Sequence, residues 1–227
     1  MRSKFLIRVF YFCLIFTGIF LTNLAIPAFS GPHDNTSVND LDEIEKQVNA
    51  FTPDPRYPDD PFAIITIMEA IVAAREKNGG IGACLVREID GIVIERGHNR
   101  QYSPFFQSDR HAEMDLLNRF EDRLRIRPDR KENPGNPRQY YEGLVLYSSV
   151  EPCPMCLTRI INTGIRKVYF VAPDKTGGMV NHIGSLPPFW RALTRDRVFE
   201  PARCSPQLKD MALRLFNRRD RSAPQKQ

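Results

Sequence analysis

Two short segments of this sequence carry side chains that can bind a metal and move protons. Residues 152–156 read Pro-Cys-Pro-Met-Cys, and residues 111–113 read His-Ala-Glu. Cys153 and Cys156 stand at a predicted helix start, where both can face one ion and where the helix dipole lowers the pKa of a thiol. Taken alone, such a pair fits a redox dithiol, half of a structural zinc site or a disulfide.

His111 and Glu113 narrow these alternatives. One histidine and two cysteines give zinc three protein ligands, so that a tetrahedral ion keeps its fourth position for water, as catalytic zinc does. We therefore predict one zinc ion per chain, with a catalytic water, bound by His111, Cys153 and Cys156. Glu113 is predicted to act as the general acid and base. Its alternative role is a surface carboxylate that interacts with the helix dipole.

The elements that must position these residues alternate between helices and strands. Periodicity and turn signals predict helices over residues 41–51, 61–77, 109–120, 153–163 and 206–217. Strands are predicted over residues 82–87, 92–97, 144–148, 167–172 and 197–200. Asp109 is expected to cap the helix that carries Glu113, and the charged, proline-rich residues 121–143 to form an inserted surface loop. This order predicts a single α/β domain with a mixed sheet.

The first thirty residues are typical of a signal peptide. Basic residues at positions 2, 4 and 8 precede an apolar run over residues 9–21, and the small residues Ala28 and Ser30 precede Gly31. The run is shorter than the ~20 residues that span a bilayer. We predict cleavage after residue 30 and export to the periplasm or the exterior, with no membrane span afterwards. An uncleaved membrane anchor is the alternative.

The positive charge of the chain lies mostly at its two ends. The formal net charge is +5, of which residues 1–30 contribute +3 and residues 214–227 contribute +4, so the remaining body is close to −2. This distribution does not favour a polyanionic partner. We divide the remaining chain into a lead-in and helix (31–60), a zinc-binding domain (61–218) and a basic disordered tail (219–227).

Three motifs in order resemble those of the cytidine deaminase-like superfamily, nearest to its branch of tRNA adenosine deaminases and guanine deaminases. They are Gly-His-Asn at residues 97–99, Arg-His-Ala-Glu-Met at 110–114 and the nine residues 148–156 that end in Cys156. The resemblance runs from about residue 62 to residue 173. It implies a three-layer α/β/α sandwich around a five-stranded mixed sheet and a homodimer or larger assembly. It also implies that Asn99 hydrogen-bonds the substrate, whereas the residue alone suggests only a turn.

The resemblance and the export signal together predict a zinc-dependent hydrolytic deaminase. Its expected substrate is a nucleobase, nucleoside or nucleotide, in particular a free small purine or pyrimidine. The alternative is a tRNA-specific adenosine deaminase, and a thiol–disulfide oxidoreductase using Cys153 and Cys156 is the competing class. The sequence leaves open which base is deaminated and whether Cys84 and Cys204 form a disulfide.

Overall fold

The computed structural model describes residues 35–126 and 136–218 of the 227-residue chain. Its helices are α1 Asn35–Asn49, α2 Asp60–Arg75, α3 Ala112–Arg125, α4 Pro154–Thr163, α5 Pro188–Ala192 and α6 Pro206–Asn217. Its strands are β1 Gly82–Arg87, β2 Val93–His98, β3 Leu144–Val150, β4 Lys167–Ala172 and β5 Val198–Pro201. Short 3-10 helices cover Pro137–Tyr141 and Val180–Ser185. The predicted signal peptide and basic tail lie outside the described residues.

The five strands form one mixed sheet in the order β2-β1-β3-β4-β5. Strand β1 is antiparallel to both of its neighbours, whereas β3, β4 and β5 are parallel. The carboxyl ends of β2, β3 and β4 therefore meet at one edge of the sheet. Within that edge, Gly82 pairs with His98, and Ala83 pairs with Ser148. The motifs at residues 97–99 and 148–156 are thus brought together by strand pairing.

Helices cover both faces of the sheet, which confirms the predicted α/β class and its layers. Strand β1 shows why, because it is buried on both sides and its side chains alternate between two clusters. Ala83 and Leu85 join the cluster that contains apolar residues of α3 and α4. Cys84 and Val86 join a cluster with residues of α2 on the opposite face. Helices α1 and α6 pack with α2 in a further buried cluster.

Two helix starts differ from the prediction by three residues or more. Helix α1 begins at Asn35, six residues before the predicted start, because the prediction followed only the apolar face of Leu41, Ile44 and Val48. The predicted cap Asp109 is wrong: His111 is the N-cap of α3, which begins at Ala112.

The predicted loop over residues 121–143 begins too early. Helix α3 continues to Arg125, because Phe120 and Leu124 extend its buried face by one more turn. Residues Pro137–Tyr141 then form a 3-10 helix whose Tyr141 is buried. The described part of the expected loop therefore contains the last turn of α3 and this 3-10 helix, and only its other described residues are irregular.

The two cysteines outside the zinc motif are not paired with each other. Cys84 and Cys204 are both free and buried, and they lie in different core clusters. Burial raises the pKa of both thiols, that of Cys204 to about 11. They behave as small apolar residues of the core. Across residues 35–126 and 136–218, no helix is both long and apolar enough to cross a membrane.

Candidate active site

The predicted metal ligands come from two helix N-termini. His111 is the N-cap of α3 and Cys153 is the N-cap of α4, each in an extended backbone conformation. Gly97 in β2 permits α3 to lie close to the sheet, because a Cβ atom there would come within 2.5 Å of the Leu116 backbone nitrogen. The close approach holds the start of α3 beside the sheet edge where β3 leads into Cys153.

The donor atoms of His111, Cys153 and Cys156 converge on one point. The Nδ1 atom of His111 lies 3.6 Å from each cysteine Sγ, and all three ligand atoms lie within 4.8 Å of one another. A tetrahedral zinc ion, with bonds of about 2.3 Å to sulfur and about 2.05 Å to nitrogen, holds such atoms about 3.6 Å apart. The three side chains therefore fit zinc. The rest of the described chain contains no second such group.

The ligands influence one another electrostatically. The hydrogen bond from the Cys156 thiol lowers the pKa of Cys153 to about 4, with a further contribution from His111. The same bond between the sulfurs, together with burial, raises the pKa of Cys156. Hydrogen bonding to Cys153 raises the pKa of His111. Zinc binding must therefore release a proton from Cys156, since the metal takes thiolates as ligands.

Glu113 lies beside the metal ligands and is only 4% exposed. Its Oε1 accepts a hydrogen bond from the Ser148 hydroxyl at 3.1 Å. Burial raises the pKa of Glu113, and the charge of Cys153 adds to this effect. A carboxyl group with a raised pKa gains and loses a proton more easily near neutral pH. This placement excludes the alternative of an exposed, dipole-stabilising carboxylate.

Asn99 follows β2 at the same sheet edge and is buried. Its backbone N–H donates to the Ile81 carbonyl at 3.0 Å, and its Oδ1 accepts from the Gln101 N–H at 2.9 Å. Asn99 is thus the turn residue that its type suggests. The side-chain Nδ2 of Asn99 donates no hydrogen bond to any described residue, so this amide can donate to a substrate. The substrate contact that the family resemblance implies stays a prediction.

Glu151 stands within the motif at residues 148–156 and has no predicted role. Its buried carboxylate accepts hydrogen bonds from the Asp174 N–H and from both the backbone and the side chain of Asn181. The Pro152 carbonyl accepts from the Met179 N–H at 2.9 Å. Through these hydrogen bonds Glu151 holds the segment after β4 against the turn that carries Cys153. An acidic residue directly before Pro-Cys was the available signal.

Several aromatic side chains remain outside the core. Phe105 and Phe106 are exposed in the loop between Asn99 and His111, and Phe189 is exposed at α5. The buried Asn78 anchors this loop, because its Oδ1 accepts from two successive backbone N–H groups at residues 102 and 103. The loop is therefore held at its base and presents its aromatic tip to solvent.

This fold and this site together define a zinc-binding α/β domain. The family profile described as "Cytidine and deoxycytidylate deaminase zinc-binding region" matches residues 62–172. The tRNA-specific adenosine deaminase of Aquifex aeolicus is 31% identical over 121 residues, which cover 53% of this chain and 70% of that protein. The chain belongs to this family of cytidine deaminase-like zinc-binding proteins.

Two further comparisons place the chain among its relatives. The tRNA-specific adenosine deaminase of Bacillus subtilis is 36% identical over 112 residues, which cover 49% of this chain but only 60% of that protein. The solved guanine deaminase of Nitrosomonas europaea has a TM-score of 0.52 at 21% identity, covering 75% of this chain and 88% of that one. The structural likeness confirms the predicted three-layer fold.

Proposed function

We propose that the chain is a zinc-dependent hydrolytic deaminase of a small nucleobase, nucleoside or nucleotide. The reaction replaces an exocyclic amine by oxygen, consumes one water and releases ammonia. The observation that carries the proposal is the placement of Glu113, a buried carboxylate directly beside the three converging metal ligands. A structural zinc site has no need of such a group.

The roles of the individual residues follow from their positions. His111, Cys153 and Cys156 would hold the zinc ion, which when bound leaves one position for water and lowers the pKa of that water. Glu113 takes a proton from the attacking water and delivers protons to the ring nitrogen and the departing amine. Ser148 orients the Glu113 carboxylate through its hydrogen bond. The side-chain amide of Asn99 donates a hydrogen bond to the base.

Export supports a small substrate. If the N-terminus directs the chain out of the cytosol, cytosolic tRNA is not available to it, and the body of the chain has no large positive charge to bind a polyanion. N-terminal sequencing of the purified protein tests this step. A mature chain that begins at Gly31 and lies outside the cytosol is expected, and an intact Met1 on a cytosolic protein would contradict export.

Adenosine deamination in tRNA is the second candidate. It is favoured by the identity with the two tRNA-specific adenosine deaminases, from Aquifex aeolicus and Bacillus subtilis.

The homodimer or larger assembly that the family resemblance implies stays a prediction, as do the boundaries of the lead-in, domain and tail.

Ammonia release separates the two candidates. The purified chain is incubated with adenine, guanine, cytosine, their nucleosides and nucleotides, and a tRNA transcript. We expect turnover of at least one small substrate and none of the transcript. Turnover of the transcript alone would replace the first proposal by the second.

A metal analysis tests the competing dithiol function. Zinc at about one ion per chain is expected for three protein ligands. A metal-free protein that reduces disulfides would overturn both deaminase readings.

A further inference from the structure

His98 is a buried histidine that the proposed reaction does not use. Its side chain is 6% exposed, and both of its ring nitrogens meet carboxylates of α2 and its C-cap. The Nδ1 atom lies 2.9 Å from Glu69 Oε2, and the Nε2 atom lies 3.1 Å from Glu76 Oε2. A neutral imidazole carries one N–H and can donate to only one of these carboxylates. The ring therefore satisfies both partners only when both nitrogens are protonated, with two charge-assisted hydrogen bonds.

A glycine in β1 allows α2 to come close enough for this contact. Gly82 pairs with His98 across β1 and β2. A Cβ atom at Gly82 would come within 2.5 Å of the Glu69 Cβ and within 2.2 Å of the Thr66 carbonyl oxygen, so a larger residue would push α2 away. Glu69 and Glu76 are seven residues apart, about two helical turns, and therefore lie on the same face of the helix. The two carboxylates can thus flank one ring.

The turn after α2, at residues 76–81, also holds the residue that follows His98. The Ile81 carbonyl accepts from the Asn99 N–H at 3.0 Å, and Asn78 accepts from the N–H groups of residues 102 and 103. A Cβ atom at Gly79 would lie 3.5 Å from the Asn99 Nδ2. The direction of the Asn99 amide therefore depends on how firmly this turn holds residues 98–103, and the contact between His98 and Glu76 is the ionic part of that attachment.

Helix α3 contacts His98 from another side. The His98 N–H donates to the Asp115 carboxylate at 3.5 Å. The oxygens of Asp115 also lie 3.6, 3.9 and 3.3 Å from the guanidinium groups of the arginine cluster, which are Arg100, Arg110 and Arg119. His98 therefore lies where α2, β2 and the helix that carries Glu113 meet.

We propose that His98 is a positioning residue for substrate binding, and that its bonds to Glu69 and Glu76 set the position of Asn99. This inference rests on the proposed deaminase function, in which the Asn99 amide donates to the base. A hydrogen bond that the substrate makes both before and during the reaction affects KM and not kcat. Loss of the His98 contacts should therefore raise KM and leave kcat nearly unchanged. His98 acts through Asn99 and needs no contact with the substrate.

The first test measures KM and kcat by ammonia release, with the best substrate among adenine, guanine, cytosine and their nucleosides. In His98→Asn the amide can replace Nδ1 as the donor to Glu69 but is too short to reach Glu76. KM should rise about 10-fold, the effect of one charge-assisted hydrogen bond, while kcat changes by less than about twofold. Glu76→Ala breaks the same contact from the other partner and should act in the same direction. Because the Glu76 side chain is 43% exposed, this second variant leaves no buried cavity.

His182→Asn is the matched control, because it makes the same change at an exposed histidine. It should keep the KM of wild type. An unchanged KM in both His98→Asn and Glu76→Ala would overturn the proposal, and so would a loss confined to kcat.

A double-mutant cycle tests whether His98 acts through Asn99. His98→Asn is introduced into wild type and into Asn99→Ala, and kcat/KM is compared within each pair. When Asn99 has already lost its amide, His98→Asn should change kcat/KM by less than about twofold, because the residue that it positions is gone. An equal loss of about 10-fold in both backgrounds would show that His98 has a general structural role and would refute positioning.

Amide hydrogen exchange keeps this inference separate from the proposed reaction. The N–H groups of residues 99 and 101–103 are hydrogen-bonded at the attachment of the loop. Their exchange should be about 10-fold faster in His98→Asn than in wild type and unchanged in His182→Asn. If the chain deaminates no substrate but shows this difference, the proposed function fails and the control of Asn99 by His98 stands. Identical exchange at these residues in all three proteins would contradict that control whatever the activity.

Discussion

Two buried carboxylates stand two residues apart on α3 and have opposite surroundings. Glu113 faces the thiols of the metal site and the Ser148 hydroxyl, and burial raises its pKa. Asp115 is buried to the same extent but faces three guanidinium groups. Residues two positions apart on a helix point to different sides, so one helical turn serves two environments. The neighbours, and not the burial, decide what each carboxylate can do.

Glu113 has a chemical role, whereas Asp115 has an electrostatic role in holding nearby cations. A carboxyl group beside thiols can exchange protons, because its charged form is destabilised there. A carboxylate among guanidinium groups attracts the cations around it. We therefore expect substitutions near Glu113 to alter the zinc content and the rate of deamination. Substitutions near Asp115 should alter the stability of the fold and substrate recognition.

The largest effect is expected from removing a metal ligand on the Glu113 side. Cys156→Ala leaves two protein ligands, and zinc should fall from about one ion per chain to well below one, with complete loss of turnover. Metal analysis and ammonia release measure both. Cys84→Ala is the matched control, because Cys84 is an equally buried free cysteine outside the site and should retain zinc. Full zinc content in Cys156→Ala would break the assignment of the ligands.

Asp115→Asn should act on stability instead. The substitution leaves three guanidinium groups without their shared anion, and we expect a loss of about 3 kcal/mol in the free energy of unfolding. Urea denaturation measures this loss. Asp122→Asn on the same helix removes an exposed carboxylate and should change stability by less than about 0.5 kcal/mol. Equal losses in the two variants would show that the arginine cluster does not depend on Asp115.

Ser148→Ala should shift the pH dependence of the reaction. The Ser148 hydroxyl donates to Glu113, and this bond favours the ionised carboxylate, so its loss raises the pKa of Glu113 further. The ionised form is needed to accept a proton. The acidic limb of kcat/KM should therefore move to higher pH by about 0.7 units, the equivalent of about 1 kcal/mol.

The neighbouring hydroxyl provides the control for this shift. Ser149 accepts from the Gly82 N–H and does not bond to Glu113. Ser149→Ala should therefore leave the acidic limb unmoved. A shift of the limb to lower pH in Ser148→Ala would contradict the role of Ser148.

A third buried carboxylate, Glu151, belongs to neither environment, and its substitution is expected to give a small effect on stability alone. Glu151→Gln keeps the shape of the side chain but places a donor where backbone N–H groups of the segment after β4 donate. A decrease of about 1 kcal/mol in the free energy of unfolding is expected, with zinc retained. Loss of zinc from this variant would show that the segment positions Cys153 more directly than its contacts indicate.

The same comparison shows what sequence could predict. The strands β1 and β4 and the helix α6 begin and end as predicted, because alternation and flanking turn residues specify them locally. The metal ligands were also predictable, since Cys153, Cys156 and His111 stand at helix starts with a distinctive spacing. Their convergence is confirmed by the structure.

The arginine surroundings of Asp115 could not be predicted from the sequence. Arg100 and Arg110 are ten residues apart in a loop without periodicity, and tertiary hydrogen bonds, among them the one between their backbones, bring them together. The links from Ser148 to Glu113 and from Glu151 to Asn181 likewise join residues distant in sequence through strand order and loop packing. Sequence patterns specify local elements, whereas these contacts depend on tertiary structure.

The role of Glu113 is the central claim, and one measurement tests it directly. Ammonia release is compared between wild type and Glu113→Gln at equal zinc content. The substitution preserves the shape of the side chain but cannot carry the proton, and kcat should fall about 1000-fold, within the range of general acid and base catalysis. Unchanged ammonia release from the zinc-loaded variant would contradict the account.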